Sequence, residues 1–421
     1  MQSSIKLRLT VMNFLQFAVW GAYLTSMGRY LGTAGFGSEI GNFYAMQGLV
    51  SLFMPALMGI VADRWIPAQR LLGVCHMLAG MLMLGVFLYT QTDTPSYPTL
   101  FALYSLSVAF YMPTLALSNS VAYTSLDQAG LDLVKSFPPI RVFGTVGFIC
   151  TMITVSLLGL EATSGQFAVS AIISLVLAVY AQTLPNCPTA PKGQSKSLVE
   201  ALGLRAFVLF KQRKMALFFI FSMLLGVSLQ ITNGFANPFI STFGEIPAYA
   251  DTFGVKYANI LISLSQLSET LCILLIPFAL RRFGIRRVML IAMVAWVLRF
   301  ALLGLGNPGS GVWLFLLSMI VYGVAFDFFN VSGSLFVDKE TDPSIRSSAQ
   351  GLFMIMTNGI GATLGSLGAQ AVINHFVYSE HDTTAILAGW SMSWYIFAGY
   401  AAVVAVLFAL LFRYNTATEA K

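Results

Sequence analysis

Stretches of about 20 apolar residues, the length a helix needs to cross a hydrocarbon core, recur along this chain from end to end. Twelve are counted, at roughly 9–31, 40–62, 71–91, 98–121, 138–160, 165–184, 215–239, 255–280, 288–306, 311–333, 349–375 and 388–412. Helices are the spanning form that fits. A helix satisfies its backbone groups within the segment, and these runs are too long and continuous for barrel strands. Of the 421 residues 57% are hydrophobic and 10% charged, against about 25% charged in an ordinary soluble domain. The expected fold class is an all-α polytopic membrane protein of twelve transmembrane helices.

The formal net charge of +6 does not point to nucleic acid. With a cytoplasmic N-terminus, the tails and even-numbered loops hold 19 of the 23 Lys and Arg residues. That is the positive-inside bias, and it places both termini in the cytoplasm. Arg29 and Lys256 fall outside, and Arg141 and Arg299 lie in or at the edge of spans. Contact with anionic lipid headgroups is a secondary use of the basic loops. Cys75, Cys150 and Cys272 lie inside predicted spans and Cys187 in a cytoplasmic loop, so no disulfide framework is expected. The N-terminal "MQSSIKLRLTVMNFLQFAVWGAYLTS" is basic and then apolar, but too long for a signal peptide and without a small-residue cleavage site. It reads as an uncleaved first span.

The least hydrophobic internal stretch, "LPNCPTAPKGQSKSLVEALGLRAFVLFKQRK", divides the chain into an N-terminal six-helix half (1–184), a cytoplasmic linker (185–214) and a C-terminal six-helix half (215–421). Within the linker, 198–211 is expected to form an amphipathic surface helix. The halves echo one another. "GIVADRWIPAQR" follows span 2 and "PFALRRFGIRR" follows span 8, with Arg64 and Arg282 offset by 218 residues. Spans 5 and 11 match too, with Gly144 and Gly147 in one and Gly359, Gly361, Gly365 and Gly368 in the other. Small residues at such spacing let helices approach closely. Paired six-helix halves with basic cytoplasmic loops are the layout of major facilitator superfamily transporters, whose substrate site lies near the midplane between halves. Asp63 and Arg64 have two readings: orientation alone, or a cytoplasmic latch that pairs in one access state and releases in the other. The second copy lacks the acidic residue, so a latch would be asymmetric.

Ionisable groups inside spans cost about 2.5–3.5 kcal/mol at a helix centre and usually face a cavity or a partner. In "LISLSQLSETLCILLIPF", Glu269 stands mid-span, and Gln266, three residues earlier, shares its face, with Ser263 a turn further back. Span 7 repeats the spacing with Gln230 and Asn233. Span 10 carries Tyr322 and Phe326 at i and i+4, with Asp327 turned sideways as a supporting or proton-linked group. In "FPPIRVFGTVGF", Arg141, Thr145 and Phe148 form one stripe. Two prolines ahead of Arg141 are expected to open the helix start. Arg141 is then either a cytoplasmic-edge cation or a cavity cation facing the carboxylates of the other half. Arg299 reads as structural, pairing with Asp327 or stabilising the C-terminal half. His76 reads as a packed residue, and His375 and His381 show no metal spacing.

Amides, carboxylates, one cation, a hydroxyl and rings suit a neutral polar solute with a flat part. Sugar hydroxyls take paired donors and acceptors; a heterocyclic base takes amides and an aromatic surface. No "GxxxxGK[ST]" stretch occurs, which argues against ATP-driven transport. No cofactor is expected, and the energy source is a gradient. A carboxyl in a partly dry cavity has a raised pKa, which makes Glu269 and Asp327 the proton-coupling candidates.

The strings "MPALMGIVADRW", "FPPIRVFGTVGF", "FFIFSMLLGVSLQITN", "SLSQLSETL", "SMIVYGVAFDFFNVSGS" and "SSAQGLFMIMTNG" resemble the bacterial nucleoside:proton symporters of the major facilitator superfamily, and the resemblance runs in matching order from span 1 to span 12. The resemblance implies proton-coupled uptake of purine and pyrimidine nucleosides across the cytoplasmic (inner) membrane by a functional monomer. By motif it places Arg141, Thr145, Phe148, Gln230, Asn233, Gln266, Glu269, Tyr322 and Phe326 in the substrate cavity, with Asp327 as a coupling or gating residue. Phe143 and Gly234 are the departures near the site. The runner-up is an oligosaccharide or sugar:proton symporter of the same fold. It is weakened by the Gln230 and Asn233 pair and the scarcity of intramembrane His. A drug exporter is disfavoured by the density of hydrogen-bonding groups. An enzyme is not expected, since no nucleophile or metal constellation forms from three His and four Cys.

Overall fold

The computed structural model describes residues 2–189, 204–343 and 345–414. These residues are helical, and no strand occurs among them. Contacts divide the chain into two compact units, Met1–Phe36 with Met46–Leu202, and Gly37–Ala45 with Gly203–Lys421. Ten helices among the described residues are long and apolar enough to cross a membrane, and the shorter apolar helix Ala258–Ile273 adds to them.

The first unit contains α1 (Gln2–Gly21), α2 (Met27–Thr33), the second half of α3 (Ile40–Ser51), α4 (Met54–Arg64), α5 (Ala68–Tyr89), α6 (Tyr97–Gln128), α7 (Leu133–Leu157) and α8 (Gly165–Tyr180). The first expected span is therefore two helices joined by a turn. Helix α1 packs on α7 and α8, and α5 packs on α6 and α8. Their apolar faces meet in a core that includes Leu9, Met12, Leu72, Val121 and Leu177. The approach of α1 to α7 requires glycine: a Cβ on Gly147 would lie 2.1 Å from the Phe14 carbonyl oxygen.

The second unit contains α9 (Arg213–Leu229), α10 (Ile231–Thr242), α11 (Ala258–Ile273), α12 (Ile276–Leu305), α13 (Val312–Glu340), α14 (Arg346–Met354), α15 (Ala362–Phe376) and α16 (Thr383–Leu411). A π-helical turn, Ile355–Gly361, joins α14 to α15. Helix α12 packs on α13 and α16, and α11 on α13. Phe239, Phe315, Trp390 and Trp394 fill one part of its core, and Phe218, Phe329, Phe336 and Phe353 another. Here too a glycine sets the closest approach, with a Cβ on Gly365 falling 2.0 Å from the Val227 carbonyl oxygen. Gly147 and Gly365 are separated by the same 218 residues as Arg64 and Arg282. Gly368, expected to serve the same purpose, has open space where its Cβ would stand.

Two expected boundaries differ. The span expected over 255–280 ends its first helix at Ile273. Pro277 explains the break: it has no N–H for the Ile273 carbonyl, and its ring crowds that carbonyl. Gly284, at φ 74°, then divides the segment α12 into two helices, a corner that an L side chain strains to adopt. Beyond it, Arg286 caps the end of α16, its Nε donating to the Phe412 carbonyl at 2.6 Å and Nη2 to that of Ala409 at 2.7 Å.

Residues 190–203 of the expected linker, with the first part of the amphipathic helix expected over 198–211, lie outside the described residues. The described remainder, Leu204–Lys211, winds as a 3₁₀ segment that buries Ala206 and Leu209. Three residues per turn puts those two on one side. The cations assigned from sequence to the outer side both sit against carboxylates. Arg29 lies 3.3 Å from Glu161, which also accepts from Ser156, and Lys256 lies 2.8 Å from Asp251. The hydrogen bond and charge of Lys256 hold the Asp251 carboxyl below the usual carboxylate range.

Candidate functional site

In the second unit the candidates come from three places, α11, α13 and the junction of α9 with α10, and α11 packs on both α13 and α10. Helix α11 meets α13 where Gly323 has no side chain: a Cβ there would lie 2.5 Å from the Ser268 carbonyl oxygen. The Ser268 hydroxyl donates to the Ile320 carbonyl and accepts from the Gly323 N–H at 3.3 Å. This contact sets Glu269, next to Ser268, beside Tyr322, next to Gly323. Glu269, Tyr322 and Asp327 thus lie within electrostatic reach of one another.

Tyr322 and Phe326 stack, with centroids 5.6 Å apart and planes 17° from parallel. Tyr322 is buried and Phe326 half-buried. The i, i+4 spacing supplies the reach, and the small residue Gly323 leaves room. Asp327 is 5% exposed, and its Oδ2 has no hydrogen-bond partner among the described residues. An acceptor in that position is costly unless a proton, water or ligand meets it. Gln266 and Glu269 are half-buried on α11. Ser263, one turn back, turns its hydroxyl to the Ile260 carbonyl at 2.7 Å.

Gln230 joins α9 to α10 with φ −93° and ψ −11°, still in the right-handed helical region, and its carbonyl accepts from the Gly234 N–H at 3.1 Å, so the expected span 7 continues through a site candidate. The Asn233 Nδ2 donates to the Gln230 Oε1 at 2.9 Å, which joins the two amides. Helix α11 stops four residues after Glu269. Glu269 therefore lies near a break and not at the centre of a long helix. Interrupted helices free backbone groups, and in transporters they line binding sites. Gly234, one of the departures, packs against the Tyr44 ring, which its Cβ would approach at 3.1 Å.

In the first unit, Arg141, Thr145 and Phe148 share the face of α7 expected from their spacing. Helix α7 begins at Leu133 and runs through Pro138 and Pro139, so Arg141 lies two turns inside it; the prolines do not mark its start. The Arg141 guanidinium carbon is 4.0 Å from the Phe17 ring centroid. Thr145 is half-buried and Phe148 is 6% exposed, with its ring edge-on to Trp20 at 6.3 Å. Phe143 is exposed. Asp63 is half-buried and Arg64 exposed at the end of α4.

Three groups near these stripes were not legible as partners in the sequence. His76 is fully buried, its Nε2 2.8 Å from Gln16 Oε1 and its Nδ1 3.0 Å from Ser174 Oγ. Gln16 passes the network on to Thr114 at 2.7 Å, and its carbonyl accepts from the Tyr111 hydroxyl at 2.9 Å. Trp20 tilts against Tyr111 at 6.0 Å and meets Phe148. Arg299 does not pair with Asp327. It lies over the Tyr322 ring and donates to the Ser318 carbonyl at 2.8 Å. Polar residues in apolar spans flag His76 and Arg299, but nothing in sequence flags Trp20.

The sequence matches the Nucleoside H+ symporter family over residues 3–417. It is 50% identical over 415 residues to the xanthosine permease of Escherichia coli (strain K12), which covers 98% of this chain and 97% of that protein. It is 47% identical, at the same coverage, to the nucleoside permease NupG of Escherichia coli (strain K12). A crystal structure of the nucleoside transporter NupG superimposes with a TM-score of 0.89 at 46% identity, over 98% of this chain and 100% of that one. The chain belongs to the Nucleoside H+ symporter family, a family of membrane transporters and not of enzymes.

Proposed function

We propose that the protein imports purine and pyrimidine nucleosides together with protons across the bacterial cytoplasmic membrane by alternating access. The observation that carries this reading is the grouping in one unit of stacked rings, joined amides and two neighbouring carboxylates. Rings meet the flat base, and amides meet its edge or the ribose hydroxyls. The carboxylates exchange the proton. Family membership and the printed names of the relatives support nucleosides over the sugar alternative.

The substrate contacts in this reading are Arg141, Thr145 and Phe148 of the N-terminal half, and Gln230, Asn233, Gln266, Glu269, Tyr322 and Phe326 of the C-terminal half. Glu269 and Asp327 are the proton-coupling residues, and Asp63 and Arg64 the cytoplasmic latch. The energy source is the proton gradient, with no further cofactor. Twelve spans follow if α1 with α2 forms the first and the corner at Gly284 separates the eighth from the ninth. Both termini and the linker are then cytoplasmic, and a monomer is the working unit.

Uptake of labelled uridine into vesicles, with and without an inward proton gradient, tests the reading. Gradient-stimulated accumulation is expected. Uptake indifferent to the gradient for every nucleoside tried would sink it.

A further inference from the structure

Arg299 is buried to 2% exposure and touches each helix that carries the carboxylates and rings. On α13 its Nη1 donates to the Ser318 carbonyl at 2.8 Å, and Ser318 Oγ donates back to the Arg299 carbonyl at 2.9 Å. That reciprocal clamp lies one helical turn before Tyr322. On α11 the same Nη1 lies 3.4 Å from Ser265 Oγ, next to Gln266 and one turn before Glu269. The guanidinium carbon is 4.5 Å from the Tyr322 ring centroid, and Trp296 closes the side of that ring edge-on at 5.9 Å. The ring has a cation on one side and the Phe326 ring in stacking contact.

Burying a cation costs several kcal/mol, and replacing a buried charge by an apolar residue of like volume is often neutral or stabilising. Arg299 has no carboxylate within salt-bridge distance among the described residues, and its Nε is buried without a partner. Packing alone would be served as well by Met. What Met lacks is the Nη1 donor, which reaches both helices while the guanidinium lies over the ring.

We propose that Arg299 is a positioning residue for nucleoside binding: it fixes the Tyr322 ring, and through it Phe326, in the orientation that receives the base. It never touches substrate. The inference rests on the nucleoside reading above, and it deepens that reading by assigning the preorganisation of the ring pair to one side chain. A preformed stacking surface spares the ligand the cost of ordering it.

The test compares wild type, Arg299→Lys, Arg299→Met, Tyr322→Leu and the doubles of Tyr322→Leu with each Arg299 variant. Proteoliposomes report KM and Vmax for uridine uptake, and the detergent-solubilised proteins report melting temperature. Arg299→Lys and Arg299→Met should each raise KM at least fivefold with Vmax within twofold of wild type. On the Tyr322→Leu background neither should raise KM further, and the losses in melting temperature should be non-additive. An unchanged KM in a variant that accumulates normally would overturn the proposal, as would additive effects. If Arg299→Met fails to accumulate in the membrane, Arg299→Lys and Ser265→Ala carry the test, and two unchanged KM values overturn it. Absence of uptake by wild type would fail the nucleoside reading and, with it, the substrate part of the inference. The melting cycle would still decide whether Arg299 holds Tyr322.

Discussion

Tyr322 lies between a cation and a ring, with the Arg299 guanidinium carbon 4.5 Å from its centroid and the Phe326 centroid 5.6 Å away. Glu269 and Asp327 lie within electrostatic reach of its hydroxyl in the same unit. In the reading proposed above, substrate surface and proton-coupling groups therefore share one residue as neighbour, and binding of a base and of a proton would be felt at a common point.

Glu269→Gln keeps the side-chain shape and removes the titratable group. Proton-driven accumulation of labelled uridine should be abolished, while exchange of labelled for unlabelled uridine across the membrane persists. Unchanged accumulation would move coupling to Asp327, where Asp327→Asn is the matching measurement.

Phe326→Ala removes a ring that is stacked on Tyr322 yet half-exposed. If that exposed face takes the base, affinity for nucleosides should fall by about 1–3 kcal/mol, the range for base stacking on aromatic side chains. Titration calorimetry on the purified protein reads this directly. An unchanged Kd would make Phe326 a packing residue only.

Gly365 and Gly368 stand three residues apart on α15 with opposite surroundings. A Cβ on Gly365 would fall 2.0 Å from the Val227 carbonyl oxygen, whereas one on Gly368 meets nothing within 4 Å. Gly365→Ala should destabilise by about 1–3 kcal/mol, the usual cost of overpacking. Gly368→Ala should leave the melting temperature of the solubilised protein unchanged or raise it.

Arg29 and Glu161 form a pair in which the side chains are 19% and 4% exposed. Replacing one partner leaves a buried charge short of its counter-ion, so Arg29→Leu should cost about 3 kcal/mol. Arg29→Leu combined with Glu161→Leu should recover much of that loss in thermal melting. Equal losses for the single and double replacements would show that the pair is not the source.

Much of this was legible because membrane spans write themselves as composition, and because polar groups stand out against it. Gln266 and Glu269, Gln230 and Asn233, and Tyr322 and Phe326 were each nominated by helical spacing, and each pair lies together on its element. What spacing leaves undetermined is what a side chain meets on another helix. Arg299 could be read as a partner of Asp327 until the Ser318 clamp and the Tyr322 ring claimed it. Helix interruptions were misplaced for a local reason: Pro277 acts on the carbonyl four residues earlier, so the break falls at Ile273, inside an unbroken apolar run.

Gly147 against Phe14 and Gly365 against Val227 are corresponding contacts, the glycines 218 residues apart and the residues they meet 213 apart. Each copy makes a forecast for the other. Substitutions tolerated or forbidden at one glycine can be used to anticipate the outcome at its counterpart before any variant of the second is made. Positions where the forecast fails would mark where the two halves have taken up different duties.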